Sequence, residues 1–364
     1  MNVVSEWYRR TFADPQVVLL VLLLVGALLL VNFFGQMLAP AIAAVVIAFL
    51  LDGPAGRLRG KGLSNPLAVC IVFVTFLALA VVAFFAILPP ITGQLAQFFL
   101  QLPSMMASLQ ETAVEFSRSN PGFFDETQIG DLIARLQGEL IALGPTNVKA
   151  LLGNLAGAIS LVVYTILVPV MVFFFLKDKK LIMSWIAGYL PHDKLLVDKV
   201  WAEVVAKAGD YARGKVYEIF IVGFAAFVVF WAIDLRFAAF LALLTGLSVI
   251  IPYFGAALVT LPVALVAFFQ WGISSEMLLA VLVYLGLQAV DGNILAPLLF
   301  SEVVKLHPNA IILAILIFGG LWGFWGVFFA IPLATVAHAV IKAWSEHGSL
   351  ADAAPQVADD EKEA

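Results

Sequence analysis

Ten stretches of apolar sequence, separated by short polar or proline- and glycine-containing segments, are the feature that most restricts the fold of this chain. A helix that crosses the ~30 Å hydrocarbon core of a membrane needs about 20 mostly apolar residues, and shorter stretches suit hairpins or re-entrant segments. The stretches lie at 17–34, 37–51, 67–89, 151–176, 216–234, 237–251, 255–271, 277–295, 309–323 and 326–342. They predict an all-α, polytopic transmembrane helical protein with about eight spans plus re-entrant or broken hairpins.

The composition excludes most other classes of protein. Hydrophobic residues make up 63% of the 364 residues and charged residues 12%, and the mean hydropathy is +1.03. Soluble domains are only about 45–50% apolar, and disordered chains are poorer still in apolar residues. The single cysteine, Cys70, excludes an internal disulfide framework or a thiolate metal cluster. The net charge of −5 argues against a nucleic-acid partner.

The distribution of positive charge predicts how the chain is oriented. Most of the 20 lysines and arginines lie near the two termini, after the second apolar stretch, or within 177–215, whereas 90–150 holds three. Positively charged loops remain on the cytoplasmic side of a membrane. Both termini and 177–215 are therefore predicted to be cytoplasmic and 90–150 to lie outside, with an even number of crossings. Arg9 and Arg10 are interpreted as charges that flank an uncleaved membrane anchor.

Two breaks are predicted among the N-terminal transmembrane segments, 1–89. The first two apolar stretches are separated by Gly35-Gln36 and are expected to form a tight hairpin, because a single helix over 17–51 would be about 50 Å long. Pro89-Pro90 is expected to end the next helix. In the outer segment 90–150, two sets of apolar residues at helical spacing flank Pro121-Gly122, which predicts a small extracytoplasmic helical hairpin.

The rest of the chain divides into four predicted segments. A transmembrane helix at 151–176 leads into an amphipathic cytoplasmic linker at 177–215. A C-terminal transport region with broken hairpins follows at 216–342, and an acidic tail at 343–364 is expected to be disordered.

Polar and helix-breaking residues interrupt the apolar sequence of the C-terminal region. One interruption reads Ile251-Pro252-Tyr253-Phe254-Gly255, and a second runs from Gln288 through Asp291 and Asn293 to Pro297. Backbone groups in lipid must all be paired, so a broken helix is tolerated only inside protein or beside a cavity. These interruptions therefore mark the candidate pathway through the membrane.

The same motifs, taken in order, resemble the autoinducer-2 exporter family, the PerM-like permeases. The matching pieces are Phe173 through Asp178, Ile251 through Gly255, Gln288 through Pro297, Leu306-His307-Pro308, and the run from Gly319 to Pro332 that contains Trp322-Gly323 and Gly326. The first hairpin with Pro40 and the 67–89 helix also fit, so the resemblance covers about 17–342.

The resemblance implies a multi-pass carrier of the bacterial inner membrane, assembled as a homo-oligomer, with a pentamer as one candidate. Members are associated with export of the signal autoinducer-2, and others resemble sodium or lithium/proton antiporters. The expected partners are therefore the lipid bilayer, a small polar solute, and H⁺ or Na⁺, with no cofactor and no nucleic acid.

Asp291 is the most informative candidate residue. An ionisable group at bilayer depth costs on the order of 3 kcal/mol unless it is paired or hydrated. The functional interpretation is a carboxylate that binds Na⁺ or exchanges a proton, with Gln288 and Asn293 nearby and helix breaks at Gly292 and Pro297. The alternative is a solvated carboxylate at the cytoplasmic end of a helix.

The other candidates each have two interpretations. Pro252, Tyr253 and Gly255 either expose carbonyls that coordinate a cation or polar solute, or supply the geometry of an ordinary turn. His307 either relays protons or packs in a loop. Glu218, near the start of its helix, is expected to extend its carboxylate to the cytoplasmic interface.

The sequence contains no catalytic motif, so an enzyme is not predicted. H-E-x-x-H, G-x-S-x-G and the phosphate-binding loop are all missing from it. The first hypothesis is a secondary transporter that exports a small polar metabolite or signal such as autoinducer-2. The alternatives are a Na⁺(Li⁺)/H⁺ antiporter and a membrane scaffold that transports nothing.

Overall fold

The computed structural model describes residues 15–119, 130–131, 133–135, 137–138, 163–189, 195–252, 254–300, 307–335 and 337. All regular secondary structure in these ranges is helical. The helices are α1 (Pro15–Gly60), α2 (Asn65–Val82), α3 (Leu88–Ser119), α4 (Val168–Lys177), α5 (Lys179–Ala187), α6 (Leu195–Ala232), α7 (Ala238–Ser248), α8 (Phe254–Trp271), α9 (Ser275–Val290), α10 (Ala296–Phe300) and α11 (Pro308–Phe328).

Within the described residues, six helical segments are long and apolar enough to cross a membrane, which confirms the predicted polytopic helical fold. They are Met37–Gly60, Asn65–Glu115, Val205–Ala232, Phe254–Trp271, Ser275–Phe300 and Pro308–Phe328. Two apolar helical segments, Tyr164–Lys177 and Ala238–Ser248, are shorter. The second of these is α7, whose 11 residues extend about 16 Å at 1.5 Å per residue, too short to span a bilayer.

The predicted hairpin between 17–34 and 37–51 is wrong. Helix α1 continues from Pro15 to Gly60 as one helix of 46 residues, about 69 Å in length. A lone glycine inside a helix costs only about 1 kcal/mol, so Gly35-Gln36 does not force the chain to turn. The two apolar stretches therefore belong to a single helix.

The expectation that Pro89-Pro90 ends a helix is also wrong. A π-helical turn at Ala83–Ile87 joins α2 to α3, and the helix continues past both prolines. A π-helical turn at Asp291–Leu295 likewise joins α9 to α10, where breaks at Gly292 and Pro297 were predicted. A third, Val163–Leu167, precedes α4 and its Pro169.

Each of these π-helical turns ends two residues before a proline. Proline lacks an N–H and its ring clashes with the carbonyl four residues earlier in an α-helix. A wider turn just before the proline relieves this conflict and keeps the chain helical. In an apolar segment this matters, because ending the helix would leave several carbonyls without donors.

The chain forms two compact units. Unit 1 comprises Met1–Gly53, Met171–Arg213 and Phe300–Ala364, and unit 2 comprises Pro54–Val170 and Gly214–Leu299. Within unit 1, Lys179 on α5 pairs with Asp52 on α1, with 2.7 Å between Nζ and Oδ2. The same unit contains α11, which is kinked at Gly323 (φ 57°, ψ −131°) where two apolar stretches were predicted to meet.

The core of unit 2 joins the predicted outer segment to the C-terminal helices. Leu102, Met105 and Met106 on α3 are buried together with Ile133 in one hydrophobic cluster that also includes residues of α6, α7, α8 and α9. The first helix of the predicted outer hairpin is thus present, and its apolar stripe packs on the rest of this unit. Pro121-Gly122 lies outside the described residues.

Helix α6 shows a further difference from the sequence prediction. The amphipathic cytoplasmic segment was expected to end at 215 and a separate span to begin at 216. The structure has one helix from Leu195 to Ala232, because nothing between these segments breaks helical hydrogen bonding. This continuity places Lys215 and Glu218 in mid-helix.

Candidate functional site

Asp291 lies where α9 gives way to its π-helical turn, of which it is the first residue. The side chain is half-buried. Its Oδ1 atom is inaccessible to solvent and has no hydrogen-bond donor within the described part of the chain. A buried carboxylate oxygen without a donor is costly. Asp291 is therefore an unsatisfied acceptor inside unit 2.

Among the described residues of the same unit, two further charged side chains are buried, both on α6. Lys215 and Glu218 are one helical turn apart and form an ion pair, with each side chain only 4% exposed. Charged residues are rarely this deeply buried unless they are paired. The expectation that Glu218 reaches the cytoplasmic interface is therefore wrong, because its carboxylate points into the protein.

The charge of Asp291 interacts electrostatically with both Lys215 and Glu218. We call these three residues the ionic cluster. When all three are ionised they carry one positive and two negative charges, so the cluster has an excess of one negative charge. Charges removed from water interact strongly, and an uncompensated one is highly unfavourable. A bound proton or monovalent cation would balance this excess.

Lys215 also contacts the end of the short helix α7. Its Nζ donates a hydrogen bond to the carbonyl oxygen of Val249, at 2.8 Å. The last carbonyls of a helix have no N–H donors of their own, and this end of the helix dipole attracts cations. Lys215 thus satisfies an acceptor that the turn after α7 exposes.

Glycines allow the backbones around this contact to approach closely. A Cβ atom on Gly246 of α7 would lie 2.9 Å from the Cα of Gly223 on α6 and 2.8 Å from the carbonyl oxygen of Ile219. A Cβ on Gly255 would lie 1.8 Å from the carbonyl oxygen of Ser248. Small residues at such crossings are how membrane helices pack tightly. They bring the end of α7 within reach of Lys215.

Gln288 takes part in a polar network one helical turn before Asp291. Its Nε2 donates to the hydroxyl of Tyr284 at 2.7 Å, and that hydroxyl donates to the carbonyl oxygen of Ala256 at 2.7 Å. Ala256 follows Gly255 at the start of α8. The network therefore connects α9 to the first turn of α8.

The remaining predicted residues lie either around the turn between α7 and α8 or on the protein surface. Pro252 is half-buried in the turn, Gly255 is buried, and Tyr253 lies outside the described residues. Asn293 is exposed and donates to the carbonyl oxygen of Ala289 at 2.8 Å. Pro297 is exposed as well.

His307 has a local contact of its own. This residue belongs to unit 1, where its exposed side chain caps α11 by accepting a hydrogen bond from the backbone N–H of Asn309 at 3.2 Å.

Sequence reasoning missed Lys215 and misjudged Glu218. A signal was present, because Lys215 and Glu218 are three residues apart at the start of a long apolar stretch. Such a spacing places two side chains on one helical face. In the described part of the chain no group of three or more His, Cys, Asp or Glu side chains is arranged to hold a metal ion.

Comparisons with known proteins agree with the family resemblance drawn from the motifs. The model of the family described as "AI-2E family transporter" matches residues 17–346. The chain is 42% identical to "Putative permease PerM" of Escherichia coli K12 over 346 residues, which cover 95% of this chain and 98% of that protein. It is 25% identical to "Putative transport protein YrrI" of Bacillus subtilis, with 85% of each chain covered.

Proposed function

The chain belongs to the AI-2E family of transporters, and we propose that it is a secondary transporter in which Asp291 binds a proton or a sodium ion. The observation that carries the proposal is the buried Oδ1 atom of Asp291, which lacks a donor among the described residues and lies in a cluster with one excess negative charge. A protonated carboxyl or a bound cation would relieve both conditions.

Exchange of Na⁺ or Li⁺ for H⁺ is the form of transport that this chemistry supports best. A single carboxylate that binds either ion, but not both together, links the movement of one to the movement of the other. Intramembrane carboxylates commonly serve as such relays. The turn between α7 and α8, whose Val249 carbonyl binds Lys215, also resembles the interrupted helices from which transporters build ion sites.

Export of a small polar metabolite or signal, such as autoinducer-2, is the second candidate. The family description supports it, and the Gln288–Tyr284 pair supplies neutral hydrogen-bonding groups beside the ionic cluster. In this version the cation at Asp291 would drive the movement of the solute. No enzymatic activity is proposed.

We further propose that the chain resides in the bacterial inner membrane with both termini in the cytoplasm, as a homo-oligomer. The concentration of lysine and arginine in the terminal and 177–215 segments supports this orientation.

The test compares three proteins in sealed liposomes with a pH-sensitive dye inside: the parent, Asp291→Asn and Asp234→Asn. Asp234 is the matched control, because it lies in the turn after α6 and has a positive φ of 55° that asparagine also tolerates. We expect external sodium to drive proton movement in the parent and in Asp234→Asn. The Asp291→Asn variant should respond no more than protein-free liposomes do.

Equal proton movement with the parent and with Asp291→Asn would show that this carboxylate is not the coupling site. If none of the proteins responds to sodium, labelled autoinducer-2 counterflow in the same vesicles separates the other two functions. Counterflow that Asp291→Asn abolishes would identify a solute exporter, and its absence in all three proteins would favour a scaffold.

A further inference from the structure

Lys215 occupies an unusual position, since it contacts a carboxylate on its own helix and a backbone carbonyl at the end of another. Its ammonium group pairs with Glu218 and donates to the carbonyl oxygen of Val249. The side chain is 4% exposed. Both contacts therefore lie in an environment with little water to replace them.

The contact to Val249 is made where the chain leaves α7 and turns toward α8. Val249 directly follows α7, and the chain turns there before α8 begins at Phe254. At its other end α7 is held by Gln94 of α3, whose side-chain oxygen accepts a hydrogen bond from the backbone N–H of Phe240 at 3.0 Å. Side chains from α3 and α6 thus hold the two ends of α7.

The carboxylate of Asp291 acts on the same ammonium group through its charge, whereas the hydrogen bonds of that group include those to Glu218 and Val249. When Asp291 is ionised and empty, it attracts Lys215 in competition with Glu218 and Val249. When Asp291 holds a proton or a cation, this competing attraction disappears, while Lys215 keeps its contacts to Glu218 and Val249. Occupancy of Asp291 therefore changes the force that Lys215 exerts on the carboxyl end of α7.

We propose that Lys215 is a positioning residue that couples cation occupancy at Asp291 to the turn between α7 and α8. This inference rests on the proposed function, in which Asp291 is the cation site. In this proposal, cation binding at Asp291 moves the backbone of the turn through Lys215. A mutation of Lys215 should therefore abolish the movement of the turn and leave cation binding intact.

The experiment follows the turn directly with a single reactive cysteine. Cys70 is the only cysteine of the chain, so Cys70→Ala removes the background and Ile251→Cys places a thiol in the turn. The rate of maleimide labelling is measured in proteoliposomes with sodium or with choline. We expect sodium to change this rate at least threefold when Lys215 is present.

Lys215→Met in the same background should abolish the response to sodium, while ²²Na⁺ binding to the protein is retained. Lys215→Arg keeps the charge and should restore at least half of the response. Lys179→Met is the matched control, since it removes an exposed lysine from its pair with Asp52. This control should respond as the parent does.

Lys215→Met alone leaves Glu218 buried without its cation, which opposes folding. The double variant Lys215→Met/Glu218→Gln removes both charges and keeps the test available. In this variant too we expect the labelling rate to be insensitive to sodium.

The outcomes separate this inference from the proposed function. If Asp291→Asn abolishes sodium–proton exchange but Lys215→Met keeps the full labelling response, the coupling role is wrong and the cation site stands. If Lys215→Met loses ²²Na⁺ binding together with the response, Lys215 is part of the site and the coupling role is again wrong. Exchange that is indifferent to Asp291→Asn would overturn both proposals.

Discussion

Among the described side chains of helix α6, two ion pairs have the same spacing but very different exposure. Asp210 and Arg213 are three residues apart, with 2.5 Å between Oδ1 and Nη2, and their side chains are 56% and 37% exposed. Lys215 and Glu218 follow directly with the same spacing, yet each is only 4% exposed. The spacing along a helix therefore predicts that a pair forms, but it does not predict how much the pair contributes to the free energy of unfolding.

The difference comes from what surrounds each pair. The guanidinium of Arg213 lies 5.0 Å from the ring centre of Phe49, in a setting that still admits solvent. Lys215 faces the end of α7 and the charge of Asp291. Exposed pairs contribute about 0–1 kcal/mol, whereas breaking a buried pair from one side leaves a lone charge in the protein.

The largest expected effect is that of breaking the buried pair. Lys215→Met should lower the free energy of unfolding in detergent micelles by about 3–5 kcal/mol, because Glu218 and the Val249 carbonyl both lose their donor. Arg213→Met, which removes the base of the exposed pair, should cost about 1 kcal/mol or less.

The double variant Lys215→Met/Glu218→Gln sharpens this comparison. It should be more stable than Lys215→Met alone, since removing both charges leaves no lone charge buried. If Lys215→Met and Arg213→Met lower the free energy of unfolding equally, the two pairs are equivalent and burial does not distinguish them.

The sequence predicted one of the three residues of the ionic cluster, Asp291, and not the buried pair formed by the other two. Asp291 stood out because it is a lone carboxylate within apolar sequence, and Gln288 followed from its position one turn earlier. The Lys215–Glu218 pair resembles the exposed pair beside it, and the acceptor at Val249 is 34 residues away in the chain. Only the tertiary packing of α6 against α7 shows that Lys215 is buried.

The sequence also predicted the helical membrane fold, but it predicted helix ends at prolines where the helices continue. Long apolar stretches in a membrane are expected to be helical, because lipid supplies no hydrogen-bond partners for the backbone. Pro89-Pro90 and Pro297 were interpreted by the rules of soluble helices, in which proline ends a segment. In this chain a π-helical turn precedes each of them, so that the helix continues.

A smaller effect is expected from separating α6 and α7. Gly246→Ala places a Cβ atom 2.9 Å from the Cα of Gly223, so the two helices must move apart. Such overpacking costs about 1–3 kcal/mol. It should also slow sodium–proton exchange, because the Val249 carbonyl moves away from Lys215.

Gly286→Ala on α9 is the control for this prediction, because a Cβ there has nothing within 4 Å. It should be neutral or slightly stabilising, as alanine is favoured over glycine in a helix. Equal unfolding free energies and equal exchange rates for the two variants would mean that the close crossing of α6 and α7 does not position the cluster.

The smallest effect is expected at the exposed pair, and its dependence on salt is the more telling measurement. Asp210→Asn should lower the free energy of unfolding by at most about 1 kcal/mol at low ionic strength. At 1 M salt, where the screening length is about 3 Å, this difference should disappear.

The cost of Lys215→Met should persist at the same salt concentration, because mobile ions do not reach a pair that is 4% exposed. If salt reduced both costs in parallel, water and ions would have to enter the ionic cluster, and the charge excess at Asp291 would no longer require a bound cation.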